Sequence, residues 1–494
     1  MVPCHLGSVS GLFASDTTKN LRETCFAKSV FGRSFRPRLE SCHSKPDCLP
    51  ITFFDSVTFS ISICIAAFVV LLSLLRRDRV SLGLPVAYLY SLLLIHVPGA
   101  FAHIVGSDFL LHSDLVEIGM RFTALGSVCF VVGVWFGRSP ILQLPVSPEV
   151  NRQRFFSFCL FGGWLLIYGV SPLYQIPSIS AAVEKGGGIW MLGVMLGLRA
   201  ALQRGDHKRM VIWIGALLVY PILMLLLGGF LSYGSAAIIT VSAALAISTR
   251  NYWRVVVGIT VFTFLSLSIF TNYFQHRNDI RSQVWGGAPL EARVGSVIDT
   301  AKDFEWFNPS NRKQLVALDQ RLNQNYFVGL AAKRIELKQV DYLNGESVWE
   351  GLLSLVPRVL WPEKPVFAGS PQIVSRMTGL WLSPTTSFGV GNVMEFQINF
   401  GIPGVVIGFF ILGWVIGMLD LKAAAAERRG DLGKVILFFL PCVAMATGGS
   451  VVELGSGAAA ALVGGFVWKH TWKWFDKNKV YFTKSEAPVL GEPS

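Results

Sequence analysis

Arg358, Lys364 and Glu395 are the residues of this chain whose types and surroundings point most directly to chemistry. The first two stand in the stretch Val-Pro-Arg-Val-Leu-Trp-Pro-Glu-Lys-Pro at 356–365. Pro357, Pro362 and Pro365 each fix φ, so the path is stiff and non-helical. Trp361 can anchor it at a membrane interface or against a neighbouring helix. The two cations are then presented from a rigid backbone, and Arg suits bidentate contact with phosphate. The same ten residues also read as a proline-rich connector carrying two solvated charges. Further on, Glu395 and Asn399 are four apart and share a helix face as the chain turns apolar. A carboxylate at the lip of a span is expensive unless solvated, paired or in use, so Glu395 is a site candidate.

These residues have to be positioned by membrane helices. The 494 residues are 52% hydrophobic and 15% charged, with a mean hydropathy of +0.51. Soluble domains carry about 25% charged residues. The 14 Trp and 36 Phe suit interfacial belts and lipid-facing surface. A net charge of +12 is then expected mainly in cytoplasmic loops, and no basic helix or RNA-binding signature points to nucleic acid. The 8 Cys form no C-x-x-C pair, so zinc and thiol-redox sites are poor readings.

A span needs about 20 mostly apolar residues. That places 11 spans near 54–75, 84–104, 119–137, 155–172, 187–203, 211–228, 233–249, 254–271, 402–420, 433–450 and 452–469. Arg76, Arg77, Arg79, Arg138, Lys208, Arg209, Arg250, Lys422, Arg428 and Lys473 fall in one set of connections and few cations in the other. The first set is therefore cytoplasmic, as is the C-terminus. The expected architecture is an all-α, polytopic membrane helix bundle with one large, partly helical outer loop. It divides into an N-terminal extension at 1–53, membrane helices at 54–271, the extracytoplasmic loop at 272–401, membrane helices at 402–470 and a cytoplasmic tail at 471–494.

A loop of that length is usually functional. Leu315, Leu318, Leu322 and Tyr326 recur at near-helical spacing and predict one helix. Ser347 and Glu350 predict a capping box opening a second helix, which Pro357 ends. After Glu395, Gly404, Gly408, Gly413 and Gly417 allow close helix packing.

At two places the chain resembles the bacterial oligosaccharide repeat-unit polymerase (O-antigen polymerase) family. That family shows a proline–arginine–x–x–tryptophan–proline–x–lysine–proline stretch late in its large outer loop, matched by Pro357 to Pro365. It then shows a glutamate followed four residues on by asparagine–phenylalanine–glycine, matched by Glu395 and Asn399-Phe400-Gly401. The basic turn at Arg76-Arg77-Asp78-Arg79 is also similar, whereas the extension at 1–53 departs from the pattern. The resemblance implies a glycosyltransferase-C-like enzyme of the bacterial inner membrane. It would act on the outer face, polymerising polyprenyl-diphosphate-linked oligosaccharide into a surface polysaccharide. Membrane lipids and a chain-length regulator would be its partners, and no metal, cofactor or nucleotide sugar would be needed.

Such a reaction needs a cationic clamp for the leaving diphosphate. Arg358 ranks first, followed by Arg277 and Arg281, which are four apart just after a span. Lys364 and Arg121 could join them. Each single Arg taken alone reads first as a headgroup contact or a surface ion pair. A base must take the proton of the attacking hydroxyl. Glu395 is first, His276 second and Asp279 third. Glu395 could instead hold the loop shut by pairing with Arg358 or Lys364. His96 and His103 are too isolated for a ligand set and suit packing roles.

Asp-x-Asp, P-loop and H-E-x-x-H patterns are missing. Two rival readings share the architecture. A ligase would pass finished glycan to a lipid core or a protein. A transporter of lipid-linked glycan would show paired broken helices and mid-span charges, whereas here the charges gather in one loop.

Overall fold

The computed structural model describes residues 53–78, 80–138, 152–165, 187–229, 231–356, 361–365, 369–382 and 389–484. All regular structure among them is helical. The helices are α1 (Phe53–Asp78), α2 (Leu84–Leu94), α3 (Val97–Val105), α4 (Ser113–Gly137), α5 (Arg152–Trp164), α6 (Gly187–Arg204), α7 (His207–Gly228), α8 (Leu231–Ser248) and α9 (Tyr252–Trp285). They continue with α10 (Leu290–Lys302), α11 (Arg312–Arg321), α12 (Gln324–Glu336), α13 (Glu346–Ser354), α14 (Ser370–Thr378), α15 (Asn392–Arg428), α16 (Leu432–Ala444) and α17 (Val451–Lys484).

Among the described residues, seven stretches are long and apolar enough to cross a membrane: α1, α2 with α3, α4, α7, α9, α15 and α17. This is the composition of a multi-pass membrane protein, with fewer qualifying helices than the 11 spans expected. The reasons are local. The span at 155–172 runs past the residues described after α5, and α6 falls outside the seven. The spans at 233–249 and 433–450 appear as short apolar helices. With 13 residues, α16 reaches only about 20 Å, short of a hydrocarbon core of about 30 Å. Its chain breaks at Met445 to Ser450 and restarts as α17.

The centre of the bundle is α4 packed along α15. Gly126 lies against Phe409, Gly413 against the Phe130 carbonyl and Gly417 against Val134, so the two helices run parallel with matched register. Small residues let the backbones approach closely. The parallel course brings Arg138 and Asp420 to the same end, where Arg138 Nη1 lies 3.1 Å from Asp420 Oδ2. Asp420 Oδ1 accepts from the amides of Leu82 (2.9 Å) and Leu84 (3.2 Å). The charge is thus buried with its partners supplied.

At the other end the helices of the large loop are fastened to the bundle. Gly329 of α12 abuts the Leu115 carbonyl of α4. The second span breaks at Ile95–His96, just before Pro98, whose ring removes a helical N–H. Asn325 Nδ2 donates to the buried His96 carbonyl at 2.7 Å, and Asn325 Oδ1 lies 2.8 Å from His96 Nδ1. His103 sits between Ser113 Oγ (2.9 Å from Nδ1) and Asp319 Oδ1 (2.7 Å from Nε2), joining α3, α4 and α11. Both histidines therefore serve packing.

Two local expectations are corrected. The helix through Leu315 to Tyr326 is two helices, because the chain turns at Leu322–Asn323. There the Leu322 carbonyl accepts from Gly99 and the Gln324 amide donates to Ile95, so tertiary bonds replace the helical ones. The capping box is not at Ser347 and Glu350. Helix α13 begins a residue earlier, capped by Gly345 at φ 90°. A reciprocal box does exist at the start of α17: the Ser450 amide donates to Glu453 Oε2 at 3.1 Å, and the Glu453 amide donates to Ser450 Oγ at 3.2 Å.

Candidate functional site

Glu395 stands on the first turn of α15 and is fully buried. The fold drives it there. Residues Phe400 and Gly401 break the helical geometry, Gly401 at φ 63°, so the short segment before them is set apart from the long apolar run that follows. That segment packs against the break between α16 and α17. The amides of Gly391 and Asn392 donate to the carbonyls of Gly448 and Thr447, each at 3.2 Å, and Asn392 Nδ2 donates to Gly449. Tyr88 donates to Asn392 Oδ1 at 2.7 Å, tying the same turn to α2.

The carboxylate of Glu395 thereby meets the N-terminus of α17. Its Oε2 accepts from the Val451 amide at 2.6 Å. Free amides and the helix dipole both favour a negative group at this position. Oε1 is buried without a hydrogen-bond partner. The Ser347 hydroxyl faces the carboxylate without closing a bond of normal geometry to that atom. Asn399, one turn on, donates to Ser347 Oγ at 2.8 Å and to the Glu395 carbonyl at 2.7 Å, so the shared helix face expected from the spacing is present.

Above Ser347 a cavity of about 80 Å³ is lined by Glu346, Ser347, Glu350, Gln372 and Arg376, among others. Arg376 Nη1 lies 3.0 Å from both Glu346 oxygens. Burial, and then the neighbouring Glu346, push the Glu350 carboxyl above its ordinary value, with Arg376 opposing. The cavity is small beside ligand sites of roughly 300 Å³ or more. Opening it means displacing α13, which packs against α17.

The arginines gather elsewhere. Arg277 and Arg281 lie on α9 beyond its apolar part, and Arg321 at the end of α11 joins them. Burial first, then Arg277 and Arg281, push the Arg321 guanidinium down to about 10. Arg277 stacks on Phe274 at 4.2 Å and Arg281 on Trp285 at 5.4 Å. Arg281 Nε and the Tyr273 hydroxyl both donate to the Gly229 carbonyl, at 3.4 and 2.8 Å, just past the end of α7. Arg293 Nη1 donates to Leu226 nearby at 3.3 Å. Cations at a helix C-terminus are held by its carbonyls and dipole.

The remaining candidates separate. Lys364 Nζ donates to the carbonyls of Ser354 (2.8 Å) and Val356 (3.0 Å), so it closes the end of α13 and pins the proline-rich stretch to it. Arg121 is exposed, pairs with Glu117 one turn earlier and reaches Ser56 on α1, apart from the α9 arginines. His276 and Asp279 lie on α9 beside Arg277, in a different set of elements from Glu395. Arg358 lies outside the described residues. The alternative pairing of Glu395 with Lys364 is not what holds either group. The sequence offers Glu350 only as a capping residue and does not rank Arg321 as a site residue. Arg321 is one arginine among several in the loop, and its 40-residue separation from Arg281 leaves no local pattern to find.

Residues 111–441 match the model of a family described as a domain of unknown function, DUF8712. The comparisons with curated proteins and with solved structures give no match.

Proposed function

The chain belongs to the DUF8712 family, and we propose that it is a glycosyltransferase of the bacterial inner membrane. It joins oligosaccharide repeat units carried on polyprenyl diphosphate into a surface polysaccharide. The loop helices α10 to α14 face the extracytoplasmic side in this reading, and α17 ends in the cytoplasm. The observation that carries the proposal is the arginine cluster Arg277, Arg281 and Arg321. Three guanidiniums drawn together beyond the apolar part of α9 make a locus of positive charge whose N–H donors suit the oxygens of a diphosphate headgroup.

Glu395 supplies the second element. Its Oε1 accepts the proton as the hydroxyl of one lipid-linked unit attacks the anomeric carbon of another. A new C–O bond forms, the bond to the diphosphate oxygen breaks, and polyprenyl diphosphate leaves with its charge on the arginines, a step that requires α9 and α11 to close towards Glu395 when substrate binds. Binding has to enlarge the small cavity above Ser347 by shifting α13 to admit sugar.

The test is a reaction with a synthetic polyprenyl-diphosphate-linked repeat unit and purified full-length protein, with products resolved as a ladder. A ladder that disappears in Glu395→Gln and Arg321→Gln, both eluting as monodisperse protein, supports the assignment. Donor consumption only when a lipid core or protein acceptor is added replaces polymerase by ligase. No consumption of the native repeat unit under any condition refutes the enzyme reading.

A further inference from the structure

The end of α15 remote from Glu395 carries a second polar cavity, independent of the reading above. From the break at Phe400–Gly401 to Lys422 the apolar run of α15 covers about 30 Å along the helix, enough to cross the hydrocarbon and reach headgroup depth. There α15 and α16 flank an open cavity of about 330 Å³ whose lining includes Lys422, Arg429, Asp431, Lys434 and Phe438. Its volume lies within the roughly 300–1,000 Å³ of ordinary ligand sites.

The charges do not cancel. Asp431 is already committed: it caps α16 through the Lys434 amide at 3.2 Å and pairs with Lys434 Nζ at 2.8 Å. Lys422 Nζ rests over the Phe438 ring at 5.9 Å, and Arg429 Nε donates to the Ala425 carbonyl at 3.4 Å. Neither of these partners carries a charge. Lys473 of α17 adds its field on Asp431. Leu421, Ala425, Ala426 and Phe438 give the cavity apolar walls. Positive charge on the rim, an apolar wall beside it and a location at headgroup depth together describe a phosphodiester with attached acyl chains.

We propose that this cavity binds the headgroup of an anionic phospholipid, its phosphodiester held between Lys422 and Arg429 and its chains lying along Phe438. Arg429 supplies paired N–H donors to the phosphate oxygens and Lys422 a point charge. A zwitterionic lipid, whose own ammonium would meet Lys422 and Lys434, is disfavoured.

Native mass spectrometry of the detergent-purified full chain tests this with phosphatidylglycerol, phosphatidylethanolamine of the same acyl chains, and glycerol phosphate alone. Wild type is expected to retain phosphatidylglycerol over phosphatidylethanolamine. Lys422→Gln/Arg429→Gln is expected to bind phosphatidylglycerol about 30-fold more weakly. The control Lys208→Gln/Lys477→Gln removes the same charge from exposed positions outside the cavity and is expected to bind as wild type. Equal loss in both double variants, or equal retention of the two lipids by wild type, overturns the proposal. So does full competition by glycerol phosphate, which would make this a free-phosphate site. If the double variant melts below wild type, Lys422→Gln alone carries the test, because that side chain is exposed.

Discussion

Replacing Arg321 by Gln separates a working cation from a structural one. Arg321 is held at about 10, against an ordinary value of 12.5, by burial and by Arg277 and Arg281. A cation whose folded-state pKa is depressed costs stability in full below that pKa, and the cost fades as pH rises towards 12.5. At pH 7.5 the cost is therefore fully present. The gap corresponds to about 3 kcal/mol at 1.36 kcal/mol per tenfold. Solvent screening at this partly exposed site reduces it to about 1–2 kcal/mol. The other contacts of the guanidinium, lost with it, bring the net gain of Arg321→Gln to about 1 kcal/mol or less. The ligand-free variant should thus melt no lower than wild type.

Binding should respond in the opposite sense. A ligand at 100 times its Kd stabilises wild type by about 2.7 kcal/mol. Losing one charge-assisted phosphate contact costs about 1.5–3 kcal/mol, which weakens Kd about 10- to 100-fold. At the same ligand concentration the stabilisation falls to about 0.4–1.4 kcal/mol. Differential scanning fluorimetry on the intrinsic tryptophans, with and without a short-chain polyprenyl diphosphate, reads both quantities. An Arg321→Gln protein that melts several degrees low when empty and keeps the full ligand shift would refute the reasoning, and Arg321 would then be a structural residue.

Asp420→Leu strands the buried Arg138 and the amides of Leu82 and Leu84, and should cost about 3–5 kcal/mol. Adding Arg138→Met should recover part of that in a thermal double-mutant cycle. At Gly329 a Cβ would lie 1.9 Å from the Leu115 carbonyl, so Gly329→Ala should lower the Tm by forcing α12 off α4. Gly295→Ala on α10, where the space is open, should raise stability by up to about 1 kcal/mol. Glu350 holds its proton more tightly folded than unfolded, so stability falls as pH rises from its ordinary value of 4.5 through the raised one. Glu350→Gln should remove that slope from a series of melts taken between pH 4 and 8.

Much of the architecture was legible because it depends on composition and period. Runs of about 20 apolar residues are visible one at a time, and the helix face shared by Glu395 and Asn399 follows from a spacing of four. Where the reading failed, a competing partner decided the outcome. The helix through Leu318 and Tyr326 is broken by bonds to Ile95 and Gly99, more than 200 residues away. Ser347-x-x-Glu350 and Ser450-x-x-Glu453 look alike as capping boxes, and only the second closes. In the first, Ser347 is taken by Asn399. The span expected at 433–450 is apolar enough, yet its chain turns at Gly448–Gly449 to receive the start of α15.

The amino-acid sequence by itself determines a helical membrane bundle with one polar loop, and it marks Glu395 as a carboxylate that has to be accounted for. Tertiary structure alone decides that this carboxylate caps α17 through one oxygen and leaves the other bare, that Lys364 is spent on carbonyls, and that Arg321 joins Arg277 and Arg281. The physical reason is one of range. Hydrophobic period and helix spacing act within a few turns, whereas charges and hydrogen bonds are settled by whichever distant group the packing brings within about 3 Å.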